Sequence, residues 1–233
     1  MKTATKLLFA IVSLALITAC GGGSSGGSTT VAPVASTLTF DVNAALRAIT
    51  ASGQNSNLSI SSSNGCTGTG TSTASGATTS TTFEGRSALS ATSMLNINYS
   101  NCSPATISNT LTSYVDTNYV PLGALGDKYL VYTGAFNAPT TARVADVGII
   151  SNFSRYTNSS KTTQDGTGQL SYVVEADSAN SALINVVTKS YTMANSLELT
   201  QLTKYRINSS NQFTLVSITI QYANGVNIIM TRT

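Results

Sequence analysis

The sequence predicts a mainly β protein, an antiparallel meander of about 8–11 strands with one short N-terminal helix. Two observations support this prediction. Apolar and polar residues alternate over most of the chain, which is the period of a half-buried strand. Short turns rich in Asn, Ser and Gly separate the alternating stretches. The pattern fits either a sandwich or a curved sheet wrapped on the helix.

The composition is that of an exported β protein. Charged residues make up only 9% of the 233 residues, against about 25% in typical domains, and Ser, Thr and Asn replace them. The formal net charge is +3, and no run of Lys or Arg forms a basic stripe. Because nucleic-acid binding needs such a stripe, we expect no nucleic-acid partner.

The helix is predicted over residues 42–51, just after a short strand at 37–40. Asp41 stands at the N-cap position, and Gly53 follows where the helix has to end. The apolar residues between them are spaced as i, i+4 and i+7: Val42, Leu46 and Ile49.

Strands fill the rest of the chain. Their predicted cores are residues 58–60, 89–99, 107–115, 129–132, 147–153, 170–174, 183–193, 197–207 and a final hairpin. The Gly/Thr/Ser stretch 66–75 has little to pack and is predicted as an edge strand. Residues 76–82 are predicted as a polar loop, and residues 119–123 as the end of the preceding segment.

The final hairpin is predicted from Asn224-Gly225, a dipeptide typical of a two-residue type I′ turn. The resulting cross-strand pairs are Ala223 with Val226, Ile220 with Ile229, and Ile218 with Thr231. This register places Ile229 on the same face as Ile218, Ile220 and Tyr222.

The N-terminus has the order of an export signal. Lys2 and Lys6 precede an apolar run of about ten residues, which is too short to span a bilayer as a helix. The residues at 17–20, Ile-Thr-Ala-Cys, resemble the lipobox of bacterial lipoproteins. The resemblance implies cleavage before Cys20 and acylation of Cys20 with fatty acids such as palmitate, which together anchor the protein stably in a membrane.

This resemblance also implies a location and a domain plan. Gly21 follows the cysteine, where Asp retains enterobacterial lipoproteins in the inner membrane, so the analogy favours the outer membrane. Residues 1–19 are then a signal peptide, residues 20–36 the lipidated cysteine with a flexible Gly/Ser tether, and residues 37–233 a single β-rich domain. The same features resemble small Gram-negative envelope lipoproteins, a class that implies location rather than activity.

Acylation of Cys20 would leave Cys66 and Cys102 as an even pair in an oxidising compartment, which predicts a disulfide between them. The alternative for these two cysteines is a metal or redox site. It is disfavoured, because the chain has no histidine and no C-x-x-C spacing. We therefore expect no metal site and no cofactor.

The absence of histidine also excludes Ser-His-Asp and Cys-His nucleophilic sites. Glu175 and Asp177 share a strand face if the strand continues to 177, so a carboxylate-based hydrolase is one hypothesis. Asp116-Thr117-Asn118 faintly resembles the start of a calcium loop, but it lacks the following glycine and is predicted to be a turn.

Three functional hypotheses remain from the sequence. The first is a non-enzymatic envelope module that acts by contact with a protein or a glycan, and it rests on the anchor, the tether and the lack of catalytic groups. The second is a carrier of an apolar ligand inside a curved sheet, which requires a cavity of several hundred Å³. The third, less favoured, is the carboxylate-based hydrolase.

Overall fold

The computed structural model describes residues 33–233, so the predicted signal peptide, Cys20 and residues 21–32 of the predicted tether lie outside the described residues. One helix precedes 13 strands. Their bounds are α1 Val42–Ser52, β1 Gly53–Ser62, β2 Thr67–Ser75, β3 Thr79–Phe83, β4 Arg86–Tyr99, β5 Thr106–Val115, β6 Pro121–Leu125, β7 Tyr129–Thr133, β8 Val147–Tyr156, β9 Gln164–Ser178, β10 Ser181–Thr192, β11 Leu197–Asn208, β12 Phe213–Tyr222 and β13 Asn227–Arg232.

The strands form one antiparallel meander that closes into a barrel. From β3 to β13 each strand pairs with the next one in the chain. β13 then pairs with β1, β1 with β2, and β2 with β4, so that 12 strands form a ring and β3 lies outside it. The predicted meander is confirmed, but its strand count of about 8–11 is too low. The closed barrel is more specific than the predicted sandwich or curved sheet, because the two ends of the sheet meet.

The prediction that residues 66–75 form an edge strand is wrong, because β2 is paired on both sides and closes the ring. Its glycines allow this close approach. A Cβ on Gly70 would lie 2.5 Å from the carbonyl oxygen of Asn96 and 2.9 Å from Cδ1 of Ile60. The lack of side chains therefore makes room for the neighbouring strands.

Two short strands are absent from the sequence prediction. β3 occupies most of the predicted loop 76–82, and β6 occupies residues assigned to the end of a segment. β3 pairs with the first residues of β4. Its polar residues suit a strand at the edge of the sheet, where one side faces solvent. At its end, Phe83 stacks on Tyr114 with ring centroids 4.7 Å apart, forming a small cluster on the outer face of the barrel.

The helix forms as predicted and closes one end of the barrel, which we call the helix end. Oδ1 of Asp41 accepts a hydrogen bond from the Ala44 amide at 2.7 Å, and Gly53 ends the helix with a φ of 71°. Phe40, which pairs with Ala142 in an isolated bridge instead of the predicted strand 37–40, is fully buried. It packs with the start of α1 against interior residues of β9, β10 and β11: Val174, Ala182, Ile184 and Ile207.

The residues that precede α1 contact the barrel near this same end. Val34 bridges to Asp177, and Oγ of Ser36 donates to the carbonyl oxygen of Ala179 at 2.8 Å. Residues 33–36, which the sequence assigns to the tether, therefore contact the folded domain. Among the described residues, no helix is both long enough and apolar enough to cross a membrane.

The final hairpin has a different register from the predicted one. Ile220 pairs with Ile228, and Ile218 pairs with Met230. The cause is the turn: Gly225 alone takes a positive φ, of 86°, and its amide bonds to the carbonyl of Tyr222. This is a type I turn followed by a left-handed glycine, which adds one residue to the loop. The shift turns Ile229 to the outside, where it is exposed.

Register shifts interrupt five other strand pairs, and two of these shifts expose apolar residues. The pairing of β8 with β9 shifts between Ile149 and Ser151, and that of β10 with β11 shifts beside Leu197. Each extra residue reverses the faces of the side chains that precede it. Val147, Ile149 and Leu197 are consequently exposed, although the sequence groups them with interior neighbours.

Candidate functional site

The wall of the barrel has a gap beside the first part of β5. β4 and β5 contain 14 and 10 residues, whereas β6 and β7 contain 5 each. β6 reaches only residues 112–115 of β5. Residues 106–111 are therefore paired with β4 on one side, and within residues 33–233 no strand pairs with their other side. All six are exposed, and we call this opening the gap.

A cavity of about 330 Å³ lies inside the barrel at the gap. Its apolar lining comes from inward-facing residues of four strands and includes Leu95, Leu111, Leu130, Ile218 and Ile220. Its polar lining includes Ser72, Ser93, Asn109 and Gln201, with the β6–β7 turn, residues 126–128, at the opening. The register places Ser72 opposite Leu95, and Ser93 opposite Leu111, so these side chains face the same interior.

Apolar side chains on the inner face of β5 are accessible to solvent through the gap. Ile107 and Leu111 point inward, yet they are 39% and 38% exposed. Inward residues elsewhere, such as Ile60 and Met230, are almost completely buried. The interior is therefore packed around most of the ring and accessible beside β5.

The helix closes the interior on the other side of this cavity. A second void of about 150 Å³ separates α1 from the interior, and its lining includes Ile49, Gln54 and Tyr205. Ser93 lines both spaces, so they adjoin. Burial raises the pKa of the Tyr205 phenol.

Charged groups lie at the opening of the cavity and not on its walls. Among the residues that line it, only Asp127 and Lys128 are charged. Lys128 is paired with Asp165, which also accepts a hydrogen bond from Nε of Arg155 at 2.8 Å. Partial burial opposes ionisation of Asp165, but the bonds from Lys128 and Arg155 hold its pKa below the ordinary value. The opening thus carries charges of both signs, and Lys128 is ion-paired.

The two carboxylates considered for a hydrolase are both ion-paired. Asp177 accepts two bonds from the guanidinium of Arg206, at 2.8 and 2.9 Å, and Glu175 accepts one from Nζ of Lys204 at 2.8 Å. The bonds from Arg206 lower the pKa of Asp177, although burial opposes them. A general acid needs a raised pKa, so this arrangement suits a cross-strand ion pair better than acid catalysis.

The acidic turn after β5 also has a structural role. Oδ1 of Asp116 accepts hydrogen bonds from the amides of Asn118 and Val120, at 2.8 and 2.9 Å. This is the turn chemistry that the sequence predicts. Within residues 33–233 no group of three or more His, Cys, Asp or Glu side chains is placed to hold a metal ion.

The predicted disulfide between Cys66 and Cys102 is present, with 5.6 Å between the two Cα atoms. It joins the β1–β2 turn to the β4–β5 turn, at the end of the barrel opposite α1. The β4–β5 turn leads directly into the unpaired part of β5, so the disulfide fixes one boundary of the gap.

Sequence reasoning identified the strands that line the cavity but not the cavity itself. The gap arises because β6 pairs with only residues 112–115 of β5, and the sequence analysis assigned residues 119–123 to the end of the preceding segment instead of to a strand. Comparison with known proteins gives no match to a family model, to a curated protein or to a solved structure.

Proposed function

We propose that the protein is a non-enzymatic, envelope-anchored binding module whose barrel interior takes a small apolar ligand through the gap. The observation that supports this proposal most is the solvent exposure of Ile107 and Leu111, two inward-facing apolar side chains of β5, of which Leu111 lines the cavity of about 330 Å³. Burial of apolar surface contributes roughly 25 cal/mol per Å². An apolar ligand that covers these side chains therefore gains binding free energy.

The size and the chemistry of the cavity define the ligand class. Ligand cavities usually span about 300–1,000 Å³, so this one suits a small molecule or a single chain of a larger one. Because the cavity walls carry no charged side chain, a charged group would lose hydration without gaining a partner there. Asn109 and Gln201 offer hydrogen bonds to an uncharged polar group on the ligand.

The envelope location rests on the lipobox resemblance at residues 17–20. It is tested by mass spectrometry of the protein purified from membranes of a bacterial host. The expected mass is that of a chain beginning at an acylated Cys20, and a Cys20→Ala variant should lose the acyl mass. An intact leader with no acyl group would contradict this part of the proposal.

Ligand binding is tested by fluorescence titration with N-phenyl-1-naphthylamine, an uncharged apolar probe. Ser93→Phe places a ring inside the cavity, and Thr92→Phe places the same ring on the outer face of the adjacent position. We expect the wild type and Thr92→Phe to bind alike and Ser93→Phe to bind at least about tenfold more weakly. Equal binding by all three proteins, or none by the wild type, would refute the proposal.

A further inference from the structure

Among the described residues, no strand pairs with the edge of β5 that faces the gap. The carbonyl oxygen of Ala105 accepts from the Tyr99 amide at 2.7 Å, on the β4 side. Backbone groups alternate in direction along an antiparallel strand, so Thr106, Ser108 and Thr110 direct their N–H and C=O groups into the gap. The Asp116 amide donates a hydrogen bond to the carbonyl oxygen of Val120, on the β6 side. This direction agrees with the alternation, because Asp116 is separated from Thr106 by an even number of positions.

This edge lacks the features that usually prevent pairing. Natural edge strands are protected by Lys, Pro, inward-pointing charges or bulges. Residues 106–111, Thr-Ile-Ser-Asn-Thr-Leu, contain none of these residues, and their register with β4 is regular. Thr and Ile also favour extended backbone. The segment is thus built to accept a further strand.

We propose that the gap is a docking site for an extended, uncharged peptide segment of a partner protein, which adds to the sheet as a strand beside β5. An extended backbone can satisfy the groups of Thr106 and Ser108 together, and such strand addition is a common mode of peptide recognition. This inference goes beyond the proposed binding of a small apolar ligand, because the recognised group is a peptide backbone.

The surroundings define the sequence pattern of that segment. On the inner face, the docked strand would lie beside Ile107 and the cavity, so its inward side chains would be apolar. On the outer face it would lie beside Thr106 and Ser108, so its outward side chains would be polar. No charged residue lies within residues 106–111, and the charges at the β6–β7 turn are of opposite sign. A peptide of alternating apolar and uncharged polar residues fits this environment.

The β6–β7 turn limits the length of the pairing. A Cβ on Gly126 would lie 3.3 Å from the carbonyl oxygen of Thr110, so the turn occupies the space beside that residue. The docked strand should therefore pair with Thr106 and Ser108 and stop where the turn begins. Amide protection that is strongest at these two residues is the specific signature of this arrangement.

The test uses a capped peptide that alternates Val and Thr and carries one Lys at each end for solubility. Amide hydrogen exchange is measured by NMR on the full mature chain with and without this peptide. We expect the Thr106 and Ser108 amides to exchange at least about tenfold more slowly with peptide. A peptide N-methylated along the edge facing β5 should give no protection, whereas methylation along its other edge should leave protection intact.

Variants at Ser108 provide the matched pair. Ser108→Pro removes the N–H that faces the gap, while Ser108→Ala keeps it, and both lose the bond of 2.7 Å to Oδ1 of Asn96. Because this N–H makes no bond to β4, we expect both variants to fold, as judged by circular dichroism. Ser108→Pro should weaken peptide binding at least about tenfold relative to Ser108→Ala. If Ser108→Pro does not fold, the N-methylated peptides make the same test.

Three results would overturn the proposal. The first is that the peptide gives no protection at Thr106 and Ser108. The second is protection of these amides without peptide that rises with protein concentration, which would assign the edge to a second copy. Protection without peptide at every concentration would assign it to another part of the same chain. Ser93→Phe separates the two proposals, because it removes binding of the naphthyl probe without removing the backbone groups of β5.

Discussion

The register of the final hairpin makes a prediction that distinguishes the structure from the sequence pattern. Met230 is fully buried between Ile60 and Ile218, whereas Ile229 is 44% exposed on the outer face. The sequence-based register places Ile229 inside. Truncating each side chain to Ala therefore measures which of the two positions faces the interior.

The expected magnitudes follow from burial. Met230→Ala removes a fully enclosed side chain and leaves a cavity, which costs about 2–5 kcal/mol of unfolding free energy. Ile229→Ala removes a side chain that is nearly half exposed, and we expect a cost below about 1 kcal/mol. The two substitutions lie on adjacent residues of the same strand, so effects of strand propensity largely cancel.

Urea unfolding followed by circular dichroism measures both values. We expect the midpoint of Met230→Ala to fall well below that of the wild type and the midpoint of Ile229→Ala to stay close to it, with unchanged slopes. A larger loss for Ile229→Ala than for Met230→Ala would refute the register and, with it, the assignment of β13 to the closure of the ring.

Three further predictions concern other parts of the barrel. Replacing both Cys66 and Cys102 by Ala should lower the unfolding free energy by about 4 kcal/mol, from the 36-residue separation of the two cysteines. Urea unfolding of the wild type in reductant should show the same loss of free energy, and an unchanged midpoint would contradict this prediction. Gly168→Ala places a Cβ 2.0 Å from an aromatic ring atom of the neighbouring strand, so we expect a loss of about 1–3 kcal/mol in thermal unfolding. Arg206 lowers the pKa of Asp177, so the stability from this pair is present above the ordinary pKa of 3.8 and is lost as the pH falls through the lower folded value. Asp177→Asn should weaken this acid dependence in urea titrations between about pH 5 and 2, and an identical pH profile would contradict the assignment.

Much of the fold follows from local sequence signals. The helix and its cap are predictable because Asp41 and Gly53 act within one turn of the residues they affect. The long strands are predictable because their alternation extends over many residues. The errors arise where one extra residue reverses the face of the sheet that the following or preceding side chains occupy. The bulge at Ile150 and the left-handed Gly225 each have this effect on their neighbours.

Closure and the gap depend on relations between distant strands. Whether residues 66–75 form an edge depends on β4, whose paired residues lie 19 to 31 positions further along the chain. The gap exists because β6 is shorter than β5. An apolar pattern does not show where a strand ends when its last residues are polar, as around residues 119–123. The cavity residues were therefore recognisable as interior positions, but their exposure was not.

The pairing of β1 with β13 has a consequence for how the molecule folds. Leu58 of β1 lies opposite Arg232 of β13, so the first strand of the barrel cannot complete its pairing until residues 228–232 have been synthesised. Contacts between such distant residues cost loop entropy before they return any stabilisation, and proteins rich in them fold slowly. Until β13 is synthesised and in place, β1 and β12 both keep open edges. Because open strand edges can pair with other chains, we expect the interval before ring closure to be prone to aggregation.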